Sequence, residues 1–168
     1  MKISRQSRKH APRRGEAAIL FAVGGFTFAA PATEVDEIRD LHGTESMESA
    51  TEQSSVAKVV GTLERSGRTH YVVDGARHFR VSGSNPSRLM ILRSQPIAVR
   101  VESIDRMAEI GKTLPLPKAF RGDERRWYRG LVLIGEQVVP VVHMASFLTP
   151  AEQVIAKATL ARAKGVPA

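Results

Sequence analysis

Ala17-Ala18-Ile19-Leu20-Phe21-Ala22-Val23-Gly24-Gly25-Phe26-Thr27-Phe28-Ala29-Ala30-Pro31 sets two apolar runs on either side of a glycine pair. Glycine reaches positive φ without a steric cost, so the pair predicts a tight turn and the flanking runs predict its two strands. Pro31 has no N–H to give a ladder and ends the second strand. A basic stretch, an apolar stretch and Ala30-Pro31-Ala32 superficially match an export signal. However, Gly24-Gly25 and Thr27 break the apolar stretch, and the basic one ends in Glu16, so the hairpin is the better reading.

Working outward toward the N-terminus, residues 1–15 are polar and basic with no apolar period, and read as a disordered tail. Lys2, Arg5, Arg8, Lys9, Arg13 and Arg14 face only Glu16, so the first sixteen residues carry +5 of the formal +8, and the rest carry +3. The folded part is therefore only mildly basic, which weakens the nucleic-acid reading that the total charge suggests. A length of 168 residues suits one domain with its own core, and no apolar run is long enough to span a bilayer. The absence of cysteine excludes disulfides and thiolate metal sites.

Toward the C-terminus, Thr33-Glu34-Val35-Asp36 reads as a capped helix start, with Val35 and Ile38 facing the core for about one turn. Residues 43–55 read as a flexible acidic loop. Short strands follow at Val56–Leu63, Thr69–Val73, His78–Val81, Leu89–Leu92 and Ile97–Val101, with Ser66-Gly67 and Asp74-Gly75 as turns. Ile104–Ile110 reads as a strand or one helical turn. Leu114-Pro115-Leu116-Pro117 is a rigid connector. Tyr128–Ile134 and Gln137–Val142 form a second hairpin about Gly135-Glu136, and Pro140 inside it suggests an edge strand or a bulge. Val132, Ile134, Val139 and Val141 would be buried by strand alternation. Thr149-Pro150-Ala151-Glu152 opens a C-terminal helix, 150–164, running to about Ala163 before Gly165 and Pro167.

Candidate chemistry is sparse. His70 and His78 could approach across a hairpin, yet no carboxylate stands at ligand-like spacing from them, so surface or partly buried histidines are the plainer reading. Asp74, Ser82 and His143 lack any nucleophile-elbow context. Gly24-Gly25 lacks the lysine and helix of a phosphate loop. No catalytic, metal or cofactor site emerges, and the chain reads as a non-enzyme. Arg125-Arg126-Trp127-Tyr128-Arg129 is the most distinctive segment. Arginine among aromatics suits a protein hot spot or nucleic-acid stacking, while Trp127 itself favours the core.

Three pieces in order resemble CheW-like domains. They are Ile19–Pro31 with Val35-Asp36-Glu37-Ile38; Leu89–Leu92 with Ile97–Met107; and Gly130–Val142 with Phe147-Leu148. Together they span roughly residues 17–148, within a domain of 16–149. The resemblance implies an all-β fold of two small interleaved SH3-like five-stranded barrels, here with a C-terminal helix. It also implies a non-catalytic cytoplasmic adaptor in chemotaxis-type signalling. Such an adaptor couples the cytoplasmic tips of chemoreceptors to the regulatory domain of a CheA-type histidine kinase, with neither cofactor nor membrane insertion. The family carries a strand, arginine–glycine, and a strand with proline. Its nearest counterpart here is Tyr71–Val81, with Asp74 where the arginine is expected, a charge reversal that bears on receptor docking. Partner-binding residues expected on this reading are Asp74, Arg77, Arg126, Tyr128, Val139, Pro140 and Val141. The alternative is a nucleic-acid-binding small barrel that uses the tail and Arg121–Arg129.

Because the tail has nothing apolar to bury, a chain that begins at Glu16 should melt within a few degrees of the full-length protein in thermal circular dichroism. A large drop would show that the tail packs on the fold.

Overall fold

The computed structural model describes residues 15–43, 47–49, 54–163 and 165. The expected tail therefore lies, but for Gly15, outside the described residues. Strands β1 (Glu16–Val23) and β2 (Phe26–Pro31) form the opening hairpin, with Gly24 and Gly25 at φ +59° and +78° in its turn. One 3-10 turn (Ala32–Glu34) leads into β3 (Val35–Asp40). There follow β4 (Met47–Ser49), β5 (Val59–Arg65), β6 (Arg68–Asp74), α1 (Gly75–Phe79), β7 (Arg88–Leu92), β8 (Ile97–Val101) and β9 (Ser103–Ile110). The hairpin β10 (Tyr128–Ile134) and β11 (Gln137–Val142) and the helix α2 (Pro150–Ala163) complete the chain.

The strands form two sheets. The first runs β10-β11-β2-β1-β9 and the second β3-β7-β8-β6-β5-β4. The first sheet takes its strands from both ends of the chain, with the second inserted between β2 and β9, which is the interleaving expected of two small barrels. Side chains from its two edges, Ile110 on β9 and Val132 on β10, meet in one cluster with Leu20, Ala29, Val139 and Val141, so the sheet curls round a filled interior. The second sheet curls likewise about Val60, Leu63, Val72, Leu89, Ile91 and Ala98. Its ends approach closely enough for Arg65 on β5 to pair with Asp36 and Glu37 on β3, at 2.7 and 2.8 Å. The largest core lies between the barrels and holds Phe21, Phe28, Val73, Met90, Leu92, Val99 and Phe147. Helix α2 closes it with Ala156 and Leu160, one turn apart on the same face.

Helix α2 starts where the sequence places it, by the expected capping box. The Glu152 N–H donates to Thr149 Oγ1 at 3.1 Å, and the Thr149 N–H donates to the Glu152 carboxylate at 2.8 Å.

Four expectations change, and the choice left open at Ile104–Ile110 is decided. The helix start at Thr33–Asp36 is a single 3-10 turn followed by strand β3, because Val35–Asp40 finds a partner in β7. Val35 is buried, but Ile38 is 40% exposed. The 43–55 loop contains a strand, since Met47–Ser49 pairs with Gly61–Leu63; residues 44–46 and 50–53 lie outside the described ones. The strand expected from Val56 begins at Val59, after a turn closed by the Val59 N–H on Val56 O. Ile104–Ile110 is strand, held along its length by β1. Lastly, Gly75–Phe79 is helix, so no strand runs from His78 to Val81. Asp74 caps that helix, accepting from the Arg77 N–H at 3.0 Å. Gly75 is required there, because a Cβ would sit 2.7 Å from Arg100 O on β8.

Val139 is 1% exposed inside the first barrel, while its neighbour Val138 is 57% exposed on the opposite face. Val139→Asp should therefore abolish folding, as an unpaired carboxylate has no partner there. Val138→Asp should shift stability by only about 0.5 kcal/mol. Equal effects of the two variants in urea denaturation would show the faces to be reversed.

Candidate docking surfaces

Six of the seven expected partner-binding residues separate into three groups, and Pro140 stands apart, half-buried on the outer face of β11. Val139 and Val141 are buried at 1% and 0% in the first barrel's interior and cannot meet a partner. The edge-strand premise is also corrected, since β11 lies between β10 and β2. Pro140 is tolerated there for a different reason. Its cross-strand neighbour Leu131 directs its own N–H and C=O at Leu114, at 2.9 and 2.7 Å. The Leu131–Pro140 pair is thus a non-hydrogen-bonded one, and the missing N–H costs the β10–β11 ladder nothing.

Strand alternation turns the neighbours of the buried valines outward. Leu133 (64% exposed) and Val138 (57%) are paired across β10–β11, next to the half-buried pair Leu131 and Pro140. Leu114, bridged to Leu131, extends the patch at 50% exposure. The result is an apolar outer face on a rigid hairpin. Period-2 logic applied to the opposite face would have found it.

The second group gathers around a cleft of about 1380 Å³ between α1, the 54–58 turn, the segment 119–128 and the start of α2. Arg77, Arg126 and Tyr128 all line it. Tyr128 stands against Phe79 and Phe120, with ring centroids 6.4 and 5.6 Å apart, and its burial, with Glu124 nearby, pushes its hydroxyl pKa up. Arg77 donates to Ala57 O at 2.9 Å. Lys58 pairs with Glu152 at 2.9 Å, and Arg126 lies 3.6 Å from Asp123. Burial raises the Glu152 pKa, but the Thr149 N–H and the Lys58 ammonium outweigh it, so the net shift is downward. Asp74, the third group, is turned inward. It caps α1 and stands 3.9 Å from Arg100, with its side chain 16% exposed. It holds α1 in place and offers no free charge to a partner.

The cleft's floor is aromatic. His78 stacks on Phe147 at 3.9 Å and meets Trp127 edge-on at 4.5 Å. Trp127 packs partly buried against the central core, as its reading from sequence favoured. His78 lies on α1 and shares no hairpin with His70, which is bound to Arg68 O at 3.2 Å on β6. Burial pushes the His70 pKa down. His143 instead pairs with Glu34, whose other carboxylate oxygen accepts from the Met144 N–H at 2.9 Å. Among the described residues no three His, Asp or Glu side chains group as metal ligands, and no helix is long and apolar enough to cross a membrane.

The strand–arginine–glycine–strand pattern falls one hairpin earlier than expected. Strand β5 ends in Arg65, Ser66-Gly67 makes the turn, and β6 follows, without the proline. Asp74 therefore does not replace the arginine, and the charge reversal is withdrawn. Arg65 is held by Asp36 first and Glu37 second, which raises its pKa, while Arg39 and then Arg65 hold that of Glu37 down.

A family model described as "CheW-like domain" matches residues 17–152, and the chain belongs to that family. Its structure is similar to the crystal structure of the scaffolding protein TtCheW from Thermoanaerobacter tengcongensis. The TM-score is 0.67 at 14% identity, over 80% of this chain and 92% of that one. No curated protein matches.

Burial, with Lys58 adding to it, lowers the His78 pKa to about 3. In the unfolded chain histidine titrates near 6.5, so between about pH 6.5 and 3 the unfolded state binds a proton that the folded state refuses. The stability associated with neutral His78 is complete above that window and is lost as pH falls through it. Denaturation at pH 7 and pH 4 should show His78→Phe losing on the order of 2–3 kcal/mol less than the parent. Parallel losses would mean that His78 is not held neutral.

Proposed function

We propose that the chain is a non-catalytic cytoplasmic adaptor in chemotaxis-type signalling that docks, barrel against barrel, on the regulatory domain of a CheA-type histidine kinase. The observation that carries this reading is the match to the CheW-like family over residues 17–152. That family's domains serve as bridges between receptors and kinase, and the kinase's regulatory domain has the same fold. Two small barrels associate through apolar strand faces rather than through a catalytic pocket.

The outer face of β10–β11 is suited to this role. Leu114, Leu133 and Val138 stand half or more exposed on backbone that strand pairing holds rigid, so ordering them on binding costs little entropy. Exposed apolar side chains grouped on one sheet face mark an interaction site more often than scattered ones do. A standard interface buries about 800 Å² on each side with a few anchors dominating, and Leu133 and Val138 are placed to be such anchors. The receptor tip is the second partner that the family implies, and the Arg65 turn retains the cation for which Asp74 seemed an exchange.

Calorimetry against the regulatory domain of the cognate kinase tests the reading. The parent should bind, and Leu133→Asp should weaken binding by more than tenfold while leaving the melting temperature within a few degrees. Absence of kinase binding, together with tight and salt-sensitive binding of single-stranded RNA, would replace the adaptor with a nucleic-acid-binding barrel.

A further inference from the structure

We propose that the cleft beside α1 is a second docking site, which takes a carboxylate-rich peptide segment of a partner protein with apolar side chains between its acids. It shares no lining residue with the Leu114, Leu133 and Val138 patch and does not rest on kinase docking. Its volume of about 1380 Å³ exceeds the roughly 300–1,000 Å³ of small-molecule pockets and suits a length of chain.

The argument begins at Arg80, the residue that ends α1. Its backbone is left-handed, at φ 56° and ψ 42°, and its N–H closes the helix on Ala76 O and Arg77 O. Glycine fits that position without strain, and an L side chain does not. Strained backbone concentrates where a side chain has a task. The Arg80 side chain lines the cleft and has no ion-pair or hydrogen-bond partner among the described residues. One turn earlier, Arg77 lines the same cleft, bonded to a backbone carbonyl and, among the described residues, to no carboxylate. Two guanidinium groups on one rim thus lack an anion, while Phe79, Phe120 and Tyr128 form an aromatic wall beside them. Guanidinium forks take carboxylates bidentately, and the aromatic wall takes the apolar side chains between them.

Charge pattern favours a peptide over a nucleic acid. Asp123, Glu124 and Glu152 also line the cleft. A phosphodiester chain, charged at every step, would meet these carboxylates along with the arginines, whereas a peptide can place its acids only opposite Arg77 and Arg80.

Trp127 is the only tryptophan and lines the cleft, so its emission reports occupancy. The probe is a short peptide with two glutamates, one for each of Arg77 and Arg80, and with leucine and phenylalanine between and beside them, titrated into the full chain. The emission should shift and saturate, and the same peptide with lysine for glutamate should leave it unchanged. Arg80→Gly relieves the backbone and removes the guanidinium. It should raise the melting temperature yet weaken the peptide about tenfold, the loss of one charge-assisted contact. No emission change, equal affinity of the lysine peptide, unchanged affinity in the folded Arg80→Gly protein, or displacement of the peptide by single-stranded oligonucleotide would each overturn the proposal.

Discussion

Over their central residues β1, β2, β5, β6, β7 and β8 are buried on both faces, and the rest of the structure follows from that. In β1, Leu20 points into the first barrel and Ile19 and Phe21 into the core between the barrels. In β6, β7 and β8, Val72, Leu89, Ile91 and Ala98 fill the second barrel, while Val73, Met90, Leu92, Ile97 and Val99 face the shared core. Strand β2 divides Ala29 from Phe28 and Ala30 in the same way. A stretch buried on both sides favours apolar residues at successive positions, which is why residues 18–23, 71–73, 89–92 and 97–99 read as unbroken apolar runs and not as alternation. Each barrel interior is too small to stabilise a domain alone. The shared core supplies the rest, so neither barrel has an independent reason to fold.

The interleaving has a kinetic and a structural consequence. The first sheet cannot be completed until β9, β10 and β11 have returned across the whole of the second, and its β11–β2 contact is parallel. Such long-range pairing is slow to form. Glu34 stands where the chain leaves the first barrel, and its carboxylate holds His143 and the Met144 N–H just after β11 comes back. Its backbone carbonyl accepts from Arg93, just after β7. One residue, its side chain largely screened from solvent, thus ties the departing strand, the returning strand and the inserted barrel.

Legibility in the sequence tracks how local the cause is. The Gly24-Gly25 turn, the hairpin around Gly135, the limits of β8 and the capping box of α2 depend on neighbours a few residues apart, and all were readable. The short helix after Asp74 was not. Gly75 and the Asp74 cap are ordinary turn signals, and only the tight fit of Gly75 against Arg100 O on β8 makes a helix of them. That misreading carried the arginine–glycine pattern onto the wrong segment. In the second hairpin the strand was right but the docking face was wrong. Val139 and Val141 were assigned both to the core and to a partner, and alternation permits only one of these. The cleft was half legible: Arg126 and Tyr128 were visible as a motif, whereas Lys58, Phe120 and Glu152 reach it from three distant segments.

The same constraint decides where a partner can touch. Strands with two buried faces have nothing to offer, so docking falls to those with one free face, chiefly β3, β9, β10 and β11. On β9 the free residues include Asp105, Arg106, Met107 and Glu109, one apolar side chain among solvated charges of both signs. On β10–β11 they include Leu133 and Val138, more than half exposed and paired with each other across the hairpin. Solvation gives no reason to expose two large apolar side chains directly opposite each other. The cleft arises differently, at the seam where α1 replaces a strand and leaves the barrels unsealed. Its aromatic floor excludes water from His78, and its rim keeps the arginines at the surface. An apolar flat face suits a folded barrel, and a charged seam suits an extended segment, so the two surfaces can be occupied at once without competing for a side chain.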